Sequence, residues 1–184
     1  MSLAAVAAAA VLAGGQPPPE PVEPTARHPI VVDGTRISRG FLRHWMDIAR
    51  RENVSPRRRL TAGLLISARW IRLEAAERGI EVNRGEVTRA LRRQRRQSFP
   101  RRRDYRKFLR DSGQTERDIR FRIQLDLLSD RIRVAVTEGA ATPKEQQARL
   151  DEFVVEFRRK WRSRTVCREP WVTPDCGSEA SRSR

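Results

Sequence analysis

An arginine-rich corner, residues 92–106, is the part of the chain whose residue types most clearly suggest binding chemistry. Eight arginines and two aromatic side chains fall within these fifteen residues. Guanidinium groups bind phosphate in bidentate fashion, and aromatic rings can stack on bases. The candidate anion-contacting residues are Arg92, Arg93, Arg95, Arg96, Arg101, Arg102 and Arg103, and the aromatic residues are Phe99 and Tyr105.

The whole chain shares this positive charge. Its 184 residues include 39 Lys and Arg against 23 Asp and Glu, a formal net charge of +16 at pH 7. Three interpretations of the arginine-rich corner remain open: it contacts nucleic acid, it touches anionic lipid headgroups or envelope polymers, or it is a solvated turn between helices. Each basic residue near an anionic membrane surface contributes on the order of 1 kcal/mol.

The residue types needed for catalysis or metal binding are sparse. The two histidines, His28 and His44, fall in no pattern with a carboxylate and a nucleophile, and neither lies near the two cysteines. No P-loop or Ser/His/Asp set is present. We therefore expect no catalytic residue, no metal site and no cofactor.

The N-terminal residues have the composition of an export signal. An apolar run over residues 3–13 is closed by small residues, and it is too short to cross a bilayer of about 30 Å as a helix. We interpret residues 1–15 as a signal-peptide-like segment without a basic start and residues 16–29, which are dense in proline, as a stiff linker. Export places the protein in the periplasm or at the exterior of the cell envelope.

An exported protein with an even number of cysteines most simply pairs them. Cys167 and Cys176 lie close in sequence near the C-terminus. We therefore predict a disulfide between them that closes a short loop, residues 167–176. The small polar residues 178–184 are predicted to be a disordered tail.

Helical patterns fill most of the chain between the linker and the tail. Residues 30–32 form the one convincing strand, which Asp33 and Gly34 turn, and everything after Ser38 has the periodicity of helices. Cap residues and Pro at the first helical position mark the starts. Six helices are predicted to begin near Arg39, Pro56, Arg84, Arg102, Glu116 and Pro143, the last closing at about residue 164.

Tryptophans and acidic residues give further expectations for the second helix. Trp45 and Trp161 lie on apolar stripes and are predicted to be core residues, whereas Trp70 falls off the face defined by Leu64, Ala68 and Ile71 and is predicted to be exposed. Candidate client-binding residues are Trp70, Phe99 and Tyr105. Glu74 and Glu77 are predicted to pair with Arg78 and with Arg72 or Arg69 along the same helix.

Several segments, in order, resemble the SurA-like N-terminal domain family of bacterial extracytoplasmic foldases. These are the opening at residues 31–38, the "helix, small, small, Gly, Ile, x, Val" element at residues 71–82 and the helix pair at residues 108–132. The block from Phe157 to Cys176 is similar to the closing helix and Cys-containing tail of some parvulin-type foldases. The resemblance implies that this closing segment packs against the N-terminal helices.

The chain departs from that family between its fifth and sixth helices. Such foldases commonly insert a strand-rich parvulin isomerase domain there, whereas only residues 137–143 separate the two helices, and no histidine follows His44. The fold expected for residues 30–177 is mainly α, a SurA N-terminal-like domain with a short N-terminal strand and a closing C-terminal helix. The expected function is a holdase or binding module for unfolded, nascent or translocating exported polypeptide, without isomerase activity; the alternative is a basic nucleic-acid or polyanion binder.

Overall fold

A computed structural model describes residues 22–52 and 58–177 of the chain. The expectations for the signal-peptide-like segment, for the first part of the proline-rich linker and for the tail lie outside the described residues. The start signal of the second helix, Ser55 and Pro56, also falls outside them.

The described residues form a mainly helical fold, as predicted from the apolar periodicity. Within them the helices lie close to the predicted bounds, because each predicted start or stop is a local signal that the surrounding packing reinforces. The helices are α1 (Arg39–Arg51), α2 (Arg58–Glu77), α3 (Arg84–Ser98), α4 (Arg102–Ser112), α5 (Glu116–Thr137) and α6 (Pro143–Ser163).

Side-chain caps open four of these helices. The hydroxyl oxygen of Ser38 accepts a hydrogen bond of 3.1 Å from the backbone N–H of Phe41 at the start of α1. Reciprocal capping boxes open α3, α5 and α6 at Asn83, Thr115 and Thr142. A cap of this kind stabilises a helix by about 1 kcal/mol, so these residues determine where the chain turns between helices.

A three-stranded sheet, which the sequence patterns only partly predict, joins the two ends of the described chain. Its strands are β1 (Ile30–Val32), β2 (Thr35–Ile37) and β3 (Thr165–Cys167), in the spatial order β2, β1, β3. Both outer strands pair antiparallel with β1. The expectation that everything after Ser38 is helical is therefore wrong at β3, whose three residues are too few for a period to be visible. The closing segment does pack against the N-terminal elements, as the resemblance implied.

The predicted disulfide is confirmed and lies directly after β3. Cys167 and Cys176 are bonded, with their Cα atoms 5.8 Å apart. Trp171 within the loop is only 5% exposed and belongs to the main hydrophobic core. The backbone N–H of Arg168 donates to the carbonyl oxygen of Pro29 at 2.8 Å, which extends the contact between the two chain ends.

Trp70 is buried, so its predicted exposure is wrong. Its side chain is 2% exposed, and its indole N–H donates to the hydroxyl of Thr165 in β3 at 2.8 Å. Leu60 and Leu64, by contrast, are 61% and 56% exposed. Helix α2 contacts α1, α5 and β1 and also the side chains of α6, and a helix covered on several sides has no single apolar stripe from which the buried face can be predicted.

A buried carboxylate connects α2 to the closing helix. Glu74 is 3% exposed and accepts hydrogen bonds from Arg78 at 2.6 Å, from the Lys160 ammonium at 2.7 Å and from the Trp161 indole at 2.9 Å. Burial raises the pKa of Glu74, but the hydrogen bonds from Lys160, Arg78 and Trp161 outweigh burial and hold its pKa below the usual value. Glu74 is therefore an ion that is fully paired in the interior.

Glu77 also faces α6, which corrects part of the predicted pairing. Its carboxylate contacts Lys160 and the guanidinium of Arg164, the latter at 2.8 Å. Glu74 pairs with Arg78 as predicted, but neither Glu74 nor Glu77 pairs with Arg69 or Arg72. Both acidic residues of α2 therefore form ion pairs with Lys160 of α6.

Reduction of the Cys167–Cys176 bond should lower the free energy of unfolding by roughly 2–3 kcal/mol, because closing a loop of this length restricts the unfolded chain. Urea denaturation with and without dithiothreitol measures the change. The double variant Cys167→Ser/Cys176→Ser is the control, since a reductant should leave its stability unchanged. Equal stability of the oxidised and reduced wild-type chains would contradict this account of the loop.

Glu74→Gln should destabilise the fold by about 1–3 kcal/mol at pH 7, because hydrogen bonds from charged donors are weakened in the interior. The folded-state pKa of Glu74 is depressed, so its contribution is present above its unfolded pKa of about 4.3 and is lost as the pH falls through the folded value. The difference in unfolding free energy between wild type and variant should therefore shrink below pH 4.3. Urea denaturation across pH, with the exposed Glu152→Gln as control, measures it; a difference independent of pH would be the contrary result.

Candidate functional site

A large open cleft lies on the side of α2 that faces away from α6. Its volume is about 900 Å³, at the upper end of the range of about 300–1,000 Å³ that is usual for ligand sites. The β2–α1 junction forms one wall, α2 forms the floor, and α3 and α5 form the other wall. We call this feature the cationic cleft, because six arginines are among its lining residues.

The floor of the cationic cleft is apolar. Leu65, Ala68 and Val87 are buried beneath it, and Phe121 is half-buried in its wall. Phe41 is 37% exposed and packs edge-on against Phe121, with ring centroids 5.9 Å apart. Such aromatic pairs keep a fixed geometry, so the cleft offers a preformed surface for apolar side chains.

The rim of the cationic cleft is rich in arginine. Among the described residues, Asp118 is the one carboxylate of the rim, and both of its oxygens have partners. Oδ1 lies 3.0 Å from the Nε2 atom of His44, and Oδ2 accepts from the backbone N–H and the hydroxyl of Thr115 at 2.8 and 2.6 Å. Burial raises the pKa of Asp118, but the hydrogen bonds lower it by more. Its pKa therefore lies below the usual value, and the group is ionised at neutral pH. The rim arginines are Arg36, Arg69, Arg72, Arg84, Arg117 and Arg120.

Most of these arginines have no acidic partner within the described chain. Arg120 pairs with Glu116 at 2.8 Å, whereas the other five have no carboxylate oxygen within 4.0 Å among residues 22–52 and 58–177. Burial and the neighbouring charge of Arg72 lower the pKa of Arg69. The cleft therefore concentrates cations that the fold itself does not neutralise.

Uncharged polar side chains complete the lining. Ser38, Thr88 and Gln124 lie along the cleft, and each carries groups that can hydrogen-bond to a peptide backbone. Thr88 already donates to the carbonyl oxygen of Arg84 and accepts from Arg120 at 2.9 Å. An apolar floor with a few convergent polar groups is the usual composition of a ligand site.

The arginine-rich corner lies elsewhere, at the junction of α3 and α4. All seven of its candidate anion-contacting arginines, Arg92, Arg93, Arg95, Arg96, Arg101, Arg102 and Arg103, are exposed. Two of them have partners within the corner: Arg103 lies 3.7 Å from Asp104, and the Arg95 guanidinium lies 5.8 Å from the centre of the Tyr105 ring. The corner thus remains an accessible cationic surface, with a hollow of only about 220 Å³ beside Arg95, Phe99 and Tyr105.

The aromatic residues of the corner pack on one another. Tyr105 is 6% exposed, and burial raises the pKa of its phenol. Phe99 lies with its ring centroid 5.4 Å from that of Tyr105 and 5.1 Å from that of Phe108. Both rings anchor α3 to α4; Tyr105 is almost fully buried, whereas Phe99 is half-buried and lines two hollows beside the corner.

Trp70 lines a second, smaller hollow of about 330 Å³ between α2, α5 and α6. Its other walls include Ile132, Phe153 and Phe157, and Val154 at the margin is 49% exposed. Of the predicted client-binding residues, Phe99 and Tyr105 are therefore brought together, whereas Trp70 lies apart from them. None of them lines the cationic cleft.

Sequence reasoning missed the residues of the cationic cleft because they come from four helices and one strand. A single local signal was available: Arg69 and Arg72 share one face of α2 with no carboxylate beside them, while Glu74 and Glu77 lie on the face toward α6. Cations on a half-buried helical face without acidic neighbours indicate a surface that can bind an anion.

Comparison with known proteins finds no family model, no curated protein and no solved structure that matches this chain. Among the described residues, no group of three or more His, Cys, Asp or Glu side chains is placed to hold a metal ion. None of the helices described is long and apolar enough to cross a membrane.

Proposed function

We propose that this protein is a binding module for unfolded or translocating polypeptide outside the cytoplasm, a holdase of the SurA-like type without an isomerase domain. The observation that carries the proposal is the cationic cleft, which combines a preformed apolar floor with polar and charged groups at its rim. Folded proteins bury their apolar side chains, so a cleft of this kind fits a chain that has not folded.

The chemistry of an extended polypeptide matches this lining. Successive side chains of an extended segment point to opposite sides, so every second residue can reach the apolar floor. The rim supplies guanidinium and hydroxyl donors for backbone carbonyl oxygens, which an unfolded chain leaves unpaired. Affinity for apolar side chains and backbone together gives broad selectivity, as a holdase requires.

The location and the family relation are parts of the same proposal. The disulfide is typical of proteins in oxidising compartments, and the apolar segment at residues 1–15 has the size of an export signal. The order of strand, capped helices and closing segment supports a SurA-like relation, and the link from α5 to α6 spans only residues 138–142. The exposed arginines of the corner would hold the protein near anionic envelope surfaces.

Phe41→Ser should weaken the suppression of client aggregation at least twofold, because it removes an exposed aromatic surface from the lining of the cleft. Light scattering of a denatured client protein, diluted into buffer with the full chain in stoichiometric amount, measures the effect. Val155→Ser on α6 is the matched control, since Val155 is 67% exposed and lies outside the cleft. Thermal melting verifies that both variants are folded at the assay temperature.

Two results would contradict the proposed function. One is that the wild-type chain fails to slow the aggregation of a denatured client. The other is that Phe41→Ser and Val155→Ser suppress aggregation equally well. Either result would remove the cationic cleft from the account of binding.

A polyanion-binding function is the second candidate, and the exposed arginines of the corner favour it. It requires tight binding to nucleic acid with log affinity falling by about 0.7–0.9 per log unit of salt for each phosphate contacted, and loss of binding in Arg101→Gln/Arg102→Gln/Arg103→Gln. Because the corner's rings pack on one another, they offer little surface for base stacking, and we expect weak, mainly electrostatic binding that falls steeply with salt. Gel-shift titration across salt measures it, and tight binding lost in the triple variant would favour the second candidate.

A further inference from the structure

We infer that the cationic cleft selects polypeptide segments in which a carboxylate lies close to an apolar or aromatic residue. The inference rests on the proposed function, since it names which segments of a client the same cleft takes. It follows from the charge of the rim, from the burial of Arg69 and from the spacing between the cations and the apolar floor.

The rim has an excess of positive charge that only an external anion can balance within the described structure. Its single carboxylate, Asp118, has both oxygens engaged by His44 and Thr115. The acidic residues nearest to the cleft in α2, Glu74 and Glu77, point to Lys160 on the opposite side of the helix. Arg36, Arg69, Arg72, Arg84 and Arg117 therefore share the cleft without a carboxylate within 4.0 Å in residues 22–52 and 58–177.

Arg69 is the most informative of these cations. Its side chain is half-buried, and its pKa is lowered by burial and by the charge of Arg72 one helical turn away. A half-buried guanidinium without a counter-ion loses part of its hydration, whereas a carboxylate can accept two parallel hydrogen bonds from it. Binding of a carboxylate at Arg69 would thus relieve a cost that the free protein carries.

The apolar floor identifies the source of the carboxylate as a peptide. Phe41 and Leu65 line the same cleft as Arg69, so a ligand that fills the cleft must present apolar and anionic groups together. An inorganic phosphate would leave the floor empty, and a lipid headgroup would have to enter a cleft between four helices. An unfolded acidic segment satisfies both surfaces.

The side chains of an extended client segment have a fixed spacing, which adds a second requirement for binding. Residues i and i+2 of an extended chain point to the same side, about 6–7 Å apart. Leu65 and Arg69 lie one helical turn apart on α2, with about 5–6 Å between their Cβ atoms, so a segment with Asp or Glu two positions from Phe, Leu or Val can reach both. The structure points to acid-x-apolar segments as the preferred clients.

The test uses the full chain and a pair of fluorescein-labelled peptides that differ only in charge. One contains repeated Asp-x-Phe units, and the other replaces each Asp by Asn. Fluorescence anisotropy should show the acidic peptide binding about tenfold more tightly, the gain expected from one charge-assisted hydrogen-bonded pair over its neutral counterpart. Inorganic phosphate and anionic phosphatidylglycerol vesicles should compete no better than sodium chloride of the same ionic strength.

Matched variants assign the preference to the cleft. Arg69→Gln/Arg72→Gln should abolish the preference for the acidic peptide and leave the affinity for the Asn peptide nearly unchanged. Lys144→Gln/Arg159→Gln, which removes the same charge from α6, should keep the preference, because neither residue lines the cleft. Arg36→Gln/Arg72→Gln, confined to exposed side chains, takes the place of the first variant if its melting curve shows loss of folding.

Each other outcome overturns the inference in a distinguishable way. Equal affinity for the two peptides would contradict selection of acidic segments while leaving the proposed function standing. Binding of neither peptide, with no suppression of aggregation, would overturn both. Displacement of the acidic peptide by phosphate or by vesicles beyond the salt control would show a general anion site in place of a peptide site.

Discussion

The buried carboxylate of Glu74 is the interaction on which both the fold and the charge of the cleft depend. It holds Lys160 and Trp161 of the closing helix against α2, and one turn earlier Trp70 donates to Thr165 of β3. A buried ion is stable only when its partners are complete, so α2 must present its acidic side to α6. The opposite side of α2 then carries Arg69 and Arg72 without neutralisation, and the same arrangement that closes the domain leaves the cleft cationic.

The short sheet makes the two ends of the described chain one unit. Strand β1 is almost fully buried between β2 and β3, and the disulfide that follows β3 brings Trp171 into the same core. The loss of the closing segment would expose β1 and remove the partners of Glu74 together. The wall of the cleft at the β2–α1 junction is therefore supported by residues more than a hundred positions away in sequence, at β3.

Much of the fold follows from local signals, and most of the candidate site does not. Ser38, Asn83, Thr115 and Thr142 predict where four helices begin, because a cap acts through the backbone of its own first turn. The pairing of two nearby cysteines is also a local inference.

Tertiary packing decides which aromatic side chains are covered. Trp70 is covered because α6 and β3 pack over a face that the periodicity of α2 leaves ambiguous, and Tyr105 is covered because Phe99 and Phe108 fold onto it. The cationic cleft arises only when β2, α1, α2, α3 and α5 come together, so of its arginines only Arg69 and Arg72, on one face of α2, carry a local pattern. The most direct test is photocrosslinking of the full chain with an Asp-x-Phe peptide that bears a photoreactive phenylalanine. We expect crosslinks in the cationic cleft, at residues such as Phe41, Phe121 and Val87. Crosslinks confined to the arginine-rich corner or to α6 would contradict the proposal.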